Sequence, residues 1–199
     1  MTFDLAKLRA DFEALVARDP IPVPPPPPPT PVPATAAPVA AVPPVEGAPV
    51  PAPVPVAAPP PPPPPPPPQV QDIDFGAKGF HFDARVQPGQ VVEAAQIMDR
   101  HGFAMDCIAG VDWLAEQQME IVYDFFHLSS SCRAVVRVRV PRTEPALPTI
   151  CGVFAGANWH ERETAEFFGI TFTGHPNLIP LLLPEESTFH PLRKDFKGE

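Results

Sequence analysis

Basic side chains are scarce in this chain of 199 residues. There are 14 Lys and Arg residues against 23 Asp and Glu residues, which gives a formal net charge of −9 at pH 7. A protein that binds nucleic acid normally presents a basic face to the phosphates. We therefore expect no nucleic-acid partner.

Long apolar segments are also missing. No apolar run approaches the roughly 18 residues that a membrane-spanning helix requires. Residues 1–20 carry acidic side chains among their apolar ones, which is unlike a secretory signal. We expect a soluble protein that reaches a membrane only through a larger complex.

Cysteine is nearly absent. Cys107, Cys132 and Cys151 lie far apart and form no C-x-x-C pair. Such thiols, without a secretory signal, are typical of a reduced cytoplasmic protein. We expect no iron–sulfur cluster held by this chain alone, with half of a site shared with another subunit as the alternative. A Gly-rich phosphate loop and a nucleophile elbow are also lacking, so no catalytic residue is predicted.

Proline, in contrast, is abundant. Of 35 proline residues, 27 fall between Pro20 and Pro68, a segment whose only charged residue is Glu46. Such a segment cannot form ladders of backbone hydrogen bonds and has little to bury. Residues 20–69 are therefore predicted to be an extended, disordered linker. The alternative is a ligand for SH3-type or WW-type grooves, although no Arg or Lys flanks the proline runs to set an orientation.

The linker divides the chain into three regions. Residues 1–19 are predicted to form a short amphipathic helix, tethered by the linker, because four apolar residues recur at helical spacing: Leu5, Leu8, Phe12 and Leu15. Residues 70–199 are sufficient for one domain with a single core.

The domain shows the patterns of an α+β fold. Apolar and polar residues alternate in residues 80–86 and 133–141, which predicts half-buried strands. Further strands are predicted at 103–111 and 119–128, and the serine-rich turn after the latter predicts an antiparallel hairpin. Pro88 and Gly102 bound a helix between the first two strands. We expect a two-layer domain with helices on one face of a mostly antiparallel sheet.

Charged residues concentrate around one short segment, Asn158 to Ile170, with the sequence NWHERETAEFFGI. Asn158 is predicted to be the N-cap of a helix, Glu161 the acid of a capping box, and Gly169 the C-terminal stop. A helix turns about 100° per residue, so successive charges at 161 to 163 point in different directions. Some of them should therefore meet partners across a contact.

A metal site is the alternative for this segment. His160 and Glu163 are spaced i, i+3, and His175 and His190 could complete a shell. Each of the latter two precedes a proline, which favours extended or turn backbone. A second helical Glu-x-x-His, needed for a di-iron site, does not occur. We expect no metal.

At these residues the sequence resembles a known family. The segment Gly156–Phe196 is similar to the signature region of the 30 kDa subunit, also called the C subunit, of NADH-quinone oxidoreductase (respiratory complex I), and the likeness extends over about residues 80–196. The family motif corresponds to Glu161, Arg162, Glu163, Phe168, Gly169, His175, Pro176, His190, Pro191, Leu192, Arg193, Lys194 and Asp195.

This resemblance implies a subunit without a redox centre in the peripheral arm, on the cytoplasmic side of the cell inner membrane. It would dock the quinone-site subunit and the subunits that carry iron–sulfur clusters, while FMN, NADH and quinone bind in partner subunits. The motif residues and the C-terminal tail, which includes HPLRKDF, are predicted to wrap onto those partners.

The chain also departs from the family pattern. Ala165 and Glu166 stand where the family commonly has an aromatic residue and Asp, and Ile179 and Pro180 stand where it commonly has two arginines. Relatives of the family serve F420H2 dehydrogenases and membrane-bound hydrogenases, so a different electron donor is one alternative. A polyproline adaptor protein is another.

Overall fold

The computed structural model describes residues 3–22 and 68–198. The linker predicted for residues 20–69 lies mostly outside the described residues. Within the described ranges, no helix combines the length and the apolar character that crossing a bilayer demands.

The main sheet has five strands, and the predicted α+β fold is confirmed. Its spatial order is β1-β2-β5-β4-β3, with β2 and β5 parallel and the other neighbours antiparallel. The strands are β1 Val70–Asp72, β2 Phe82–Val86, β3 Phe103–Trp113, β4 Gln118–His127 and β5 Cys132–Pro141.

Shorter elements complete the domain. The helices are α1 Leu5–Arg18, α2 Phe75–Lys78, α3 Val91–Arg100 and α4 Ala157–Phe168, with single 3₁₀ turns at Pro88–Gln90 and Leu114–Glu116. Strands β6 Ala146–Pro148 and β7 Thr171–Thr173 pair in parallel as a second, two-stranded sheet. In the chain, β6 precedes α4 and β7 follows it.

The two faces of β5 show why the alternating pattern predicts the sheet. Ala134, Val136, Val138 and Val140 are all buried. The intervening arginines form ion pairs on the opposite face, where Arg137 lies 3.1 Å from Asp83 and Arg139 lies 3.0 Å from Glu120. The predicted hairpin is also observed, with His127 opposite Cys132 across the turn.

Helix α1 forms as predicted but packs into the same compact unit as residues 68–199. Its apolar face, which includes Leu8 and Phe12, is buried, and the Phe12 ring lies 5.2 Å from that of Phe82. The Gln90 side chain donates a hydrogen bond of 2.8 Å to the Leu15 carbonyl. An isolated helix of 14 residues is marginal in water, so burial of this face provides the stability that the helix lacks alone.

Candidate functional site

Helix α4 begins two residues earlier than the sequence predicted. Its N-cap is Gly156, without a side-chain cap, and Asn158 lies inside the first turn. The predictions of Asn158 as the N-cap and Glu161 as a capping-box acid are wrong. The Glu161 side chain is fully buried. It binds residues outside the helix and is therefore not available to cap the helix N-terminus.

The Glu161 carboxylate organises the segment that leads into α4. It accepts hydrogen bonds from Thr149 Oγ1 at 2.5 Å, the Ile150 N–H at 2.8 Å and the Cys151 thiol at 3.4 Å. A buried carboxylate is tolerated when hydrogen bonds of this kind satisfy its oxygens. Burial, and then the charge of Glu161, raise the pKa of Tyr123 well above its usual value. Glu161 therefore fixes residues 149–151, which lead into α4, against the helix.

Three potential metal ligands come together beside this carboxylate. Cys151, Glu161 and His175 place one ligand atom each within 4.8 Å of one another, whereas His160, Glu163 and His190 are not part of the group. The Asn177 N–H donates to His175 Nδ1 at 3.0 Å, so the ring hydrogen is on Nε2, 3.2 Å from the Asn158 carbonyl.

That arrangement does not suit a metal ion. A ligating nitrogen must present a lone pair, and Nε2 of His175 carries the hydrogen. Burial, opposed by the hydrogen bond with Thr149 and assisted by the charge of Glu161, raises the pKa of the Cys151 thiol. The cluster instead ties the G-H-P turn after β7 to the first turn of α4.

Two side chains of α4 hold the segment that follows the turn. Arg162 Nε donates to the Ile179 carbonyl and Arg162 Nη2 to the Pro180 carbonyl, both at 2.9 Å. Four residues along the helix, the buried Glu166 carboxylate accepts the N–H groups of Leu181, Leu182 and Leu183 at 2.8, 3.1 and 3.1 Å. In the sequence, Glu166 stood out only as a departure from the family pattern, although its i, i+4 spacing from Arg162 indicates a shared face.

The C-terminal tail caps the end of α4. His190 Nδ1 hydrogen-bonds the Glu166 carbonyl at 2.8 Å, the Leu192 N–H donates to the Phe167 carbonyl at 3.2 Å, and Arg193 Nε donates to the Phe168 carbonyl at 2.7 Å. The last carbonyls of a helix have no partner within it. The C-terminal tail therefore supplies hydrogen-bond donors to the last backbone carbonyls of α4.

Gly169 makes this close approach possible. It ends α4 as predicted, in the left-handed conformation with φ of +72°. A Cβ at this position would lie 2.5 Å from both His190 Nε2 and Arg193 Nη2. Upstream, the ring of Phe168 packs on β3, where a Cβ on Gly110 would lie 2.5 Å from Phe168 Cδ2.

A second contact holds the tail to the sheet. Asp112 accepts two hydrogen bonds from Arg142, at 2.9 and 3.1 Å, and one from the Lys194 N–H at 2.8 Å. Burial by itself would raise the pKa of Asp112, but these hydrogen bonds outweigh it and the pKa is lowered. Arg142 also pairs with Asp195 at 2.5 Å. Asp112 lay within the likeness to the family but was not among its motif residues, and Arg142 carried no local signal in the sequence.

The remaining motif residues lie nearer to solvent. Glu163, Pro176 and Leu192 are exposed, and Pro191 is half-buried. Six of the eight large apolar side chains exposed within the described residues lie between 159 and 196. These six define what we call the α4–tail surface: Trp159, Ile179, Leu182, Phe189, Leu192 and Phe196. Apolar exposure concentrated in this way marks an interaction site more often than scattered exposure does.

Comparison with known proteins identifies relatives of this chain. The family model described as the 30 Kd subunit of respiratory-chain NADH dehydrogenase matches residues 84–199. The C subunit of NADH-quinone oxidoreductase from Roseiflexus sp. (strain RS-1) is 38% identical over 134 residues, which cover 63% of this chain and 76% of that protein. The C subunit of F(420)H(2) dehydrogenase from Methanosarcina mazei is 38% identical over 92 residues, 46% of this chain and 58% of that protein.

A solved structure shows the same fold. A chain of the membrane-bound sulfane sulfur reductase, an archaeal respiratory membrane complex, superposes with a TM-score of 0.58 at 27% identity. The match covers 65% of this chain and 78% of that one.

Proposed function

This chain belongs to the family of the 30 Kd subunit of respiratory-chain NADH dehydrogenase, and on that premise we propose that it is a structural, non-redox subunit of an NADH-quinone oxidoreductase. It docks the quinone-site subunit and the cluster-bearing subunits in the peripheral arm. The arm lies on the cytoplasmic side of the cell inner membrane, and the chain reaches the membrane only through the complex.

The α4–tail surface is the observation that carries this proposal. The polar side chains of the motif are mostly engaged within the chain: Glu161 with residues 149–151, Arg162 with the carbonyls of 179 and 180, and Arg193 with the end of α4. Large apolar side chains remain exposed in the same region, with Leu182 exposed at 65% and Trp159 at 60%. Contacts between permanent subunits typically bury about 2,000 Å² or more and resemble a core cut in half.

The chemistry of the site supports a role without catalysis by this chain. Burial raises the pKa of all three thiols, at Cys107, Cys132 and Cys151, so they are poor nucleophiles. The motif histidines at 175 and 190 hydrogen-bond backbone groups. Iron–sulfur clusters, FMN, NADH and quinone belong in this proposal to the partner subunits.

A pair of leucine substitutions tests the docking surface. Leu182→Glu places a charge in the α4–tail surface, while Leu128→Glu makes the same change in the β4–β5 turn, at a leucine that is exposed at 78% against 65% for Leu182. Each variant replaces the native chain in its own membranes, which are solubilised gently. Loss of the Leu182→Glu chain from the complex, with retention of the control, is expected. Normal recovery of both variants, with wild-type NADH-driven quinone reduction, would remove the basis of the proposal.

A relative with another electron donor is the second candidate. The similarity to the F(420)H(2) dehydrogenase protein of Methanosarcina mazei favours it, and a membrane-bound hydrogenase is a further candidate of this kind. The copurifying subunits decide between the candidates. Flavin and NADH-oxidising subunits support the first, whereas their absence alongside quinone-site and cluster-bearing subunits supports the second.

A further inference from the structure

A cavity of about 180 Å³ lies between α4 and the segment 178–190. Its apolar lining consists of Ala165, Leu178, Ile179, Pro180, Leu183 and Phe189. Ala165 contributes only a methyl group to the helix side of the cavity. The cavity opens to solvent beside Ile179 and Phe189, which are both exposed and both belong to the α4–tail surface.

The volume matches one aromatic ring. An enclosed apolar cavity of about 150 Å³ accommodates benzene, so a volume of about 180 Å³ is sufficient for the ring of Phe or Tyr. Because the cavity opens to solvent, its apolar lining is exposed to water in the isolated chain, which is unfavourable. A side chain supplied from outside would remove that apolar lining from water.

The charged side chains of the lining disfavour a charged occupant. Arg162 already donates to the carbonyls of Ile179 and Pro180, and Glu166 already accepts the N–H groups of residues 181–183. His190 Nδ1 hydrogen-bonds the Glu166 carbonyl. The charged side chains of Arg162 and Glu166 are engaged with this chain's own backbone, and Ser187 is the remaining polar residue of the lining, so a charged ligand would lose its hydration without gaining a charged partner.

We propose that this cavity receives an aromatic side chain from the partner subunit that docks on the α4–tail surface. The inference rests on the docking function proposed above and names the contact at its centre. Aromatic residues that fill well-packed, desolvated pockets dominate the binding energy of protein interfaces. The exposed rim residues Ile179 and Phe189 connect the cavity directly to the rest of the surface, so the same partner covers both.

Filling the cavity from within tests the inference. Ala165→Phe puts a ring into the space and should displace the partner's ring. Ala14→Phe makes the same change at an exposed alanine of α1 and serves as the matched control. Native membranes from each strain are solubilised, and the fraction of this chain that migrates with the complex is measured. Each chain is also purified and its Tm determined.

The expected result for Ala165→Phe is an unchanged or raised Tm together with weaker association, by about thirtyfold or more if the ring is an interface hot spot. Ala14→Phe should assemble normally. If Ala165→Phe lowers the Tm, Ala165→Met fills the space with a more adaptable side chain and the same comparison is made. Normal assembly of a variant that retains its Tm would overturn the inference.

Leu182→Glu separates this inference from the docking function. Loss of both Leu182→Glu and Ala165→Phe from the complex supports the surface and the pocket together. Loss of Leu182→Glu with normal assembly of Ala165→Phe leaves the docking surface standing and refutes the pocket. Normal assembly of Leu182→Glu refutes the docking surface and, with it, the pocket that depends on it.

Discussion

Replacing Glu166 by alanine should release residues 181–183 from helix α4. The buried carboxylate of Glu166 accepts three successive backbone N–H groups, at distances of 2.8 to 3.1 Å. Arg162 would still hold the carbonyls of Ile179 and Pro180. The opening should therefore be local, with α4 and the sheet intact.

The magnitude follows from the hydrogen bonds that are lost. A hydrogen bond to a charged group contributes about 1.5 to 3 kcal/mol. The three N–H groups share one carboxylate and become hydrated when the segment opens, so the total is about 3 kcal/mol. A factor of ten corresponds to about 1.4 kcal/mol. The amides of residues 181–183 should then exchange roughly a hundredfold faster with solvent deuterium.

Hydrogen exchange read by mass spectrometry or NMR measures this effect in the isolated subunit. Glu163→Ala is the matched control, because it removes an exposed carboxylate from the preceding turn of the same helix. The control should leave the exchange of residues 181–183 unchanged. Wild-type protection of these amides in Glu166→Ala would refute the role assigned to the carboxylate. Assembly should also fall, since the released segment carries Leu182.

Three further changes test other parts of the structure. Gly169→Ala should lower the free energy of unfolding by about 1 to 3 kcal/mol, because φ is +72° and the new methyl would lie 2.5 Å from His190 Nε2; a urea midpoint equal to that of the wild type would contradict this. The folded chain lowers the pKa of Asp112, so the unfolded chain binds more protons in acid. The stabilisation is therefore present above the unfolded pKa of about 3.9 and is lost as the pH falls through the folded pKa. In urea titrations at successive pH values, the free energy of unfolding of Asp112→Asn should fall less steeply with decreasing pH than that of the wild type. An equally steep fall would contradict this assignment. Replacing residues 23–67 by a short Gly-Ser linker should leave the Tm and assembly unchanged. The residues on both sides of that segment are hydrogen-bonded near the end of β2, since the Pro20 carbonyl accepts from the Gln87 side chain and the Gln69 carbonyl accepts from the Arg85 N–H. Failure of assembly would favour the polyproline adaptor.

Local patterns predicted most of the main sheet and the C-terminal end of α4. The alternation in β5 indicated which residues are buried, because side chains of a strand point to opposite faces in turn. Gly169 was predicted as a stop because a left-handed residue after a helix is most often glycine. The motif from Glu161 to Asp195 also indicated the family, which the comparisons confirm.

Predictions about the partners of charged side chains were less successful. Asn158 and Glu161 fit a capping box by spacing, yet Glu161 binds residues 149–151 and the helix starts at Ala157. The tail was predicted to wrap onto other subunits, but much of its hydrogen bonding is to α4 and Asp112. The docking role itself stays a prediction.

The sequence by itself determined four of the five strands of the main sheet, the three longer helices, the burial of alternate residues in β5 and the family of the chain. Each of these depends on residues a few positions apart, where spacing and backbone preference are sufficient. Only the tertiary structure decided that Asp112 meets Lys194 across 82 positions, that Glu166 binds the segment 181–183, and that a cavity remains above Ala165. These contacts arise where distant segments are brought together by burial of the core, and no local pattern encodes which buried donor will face which acceptor.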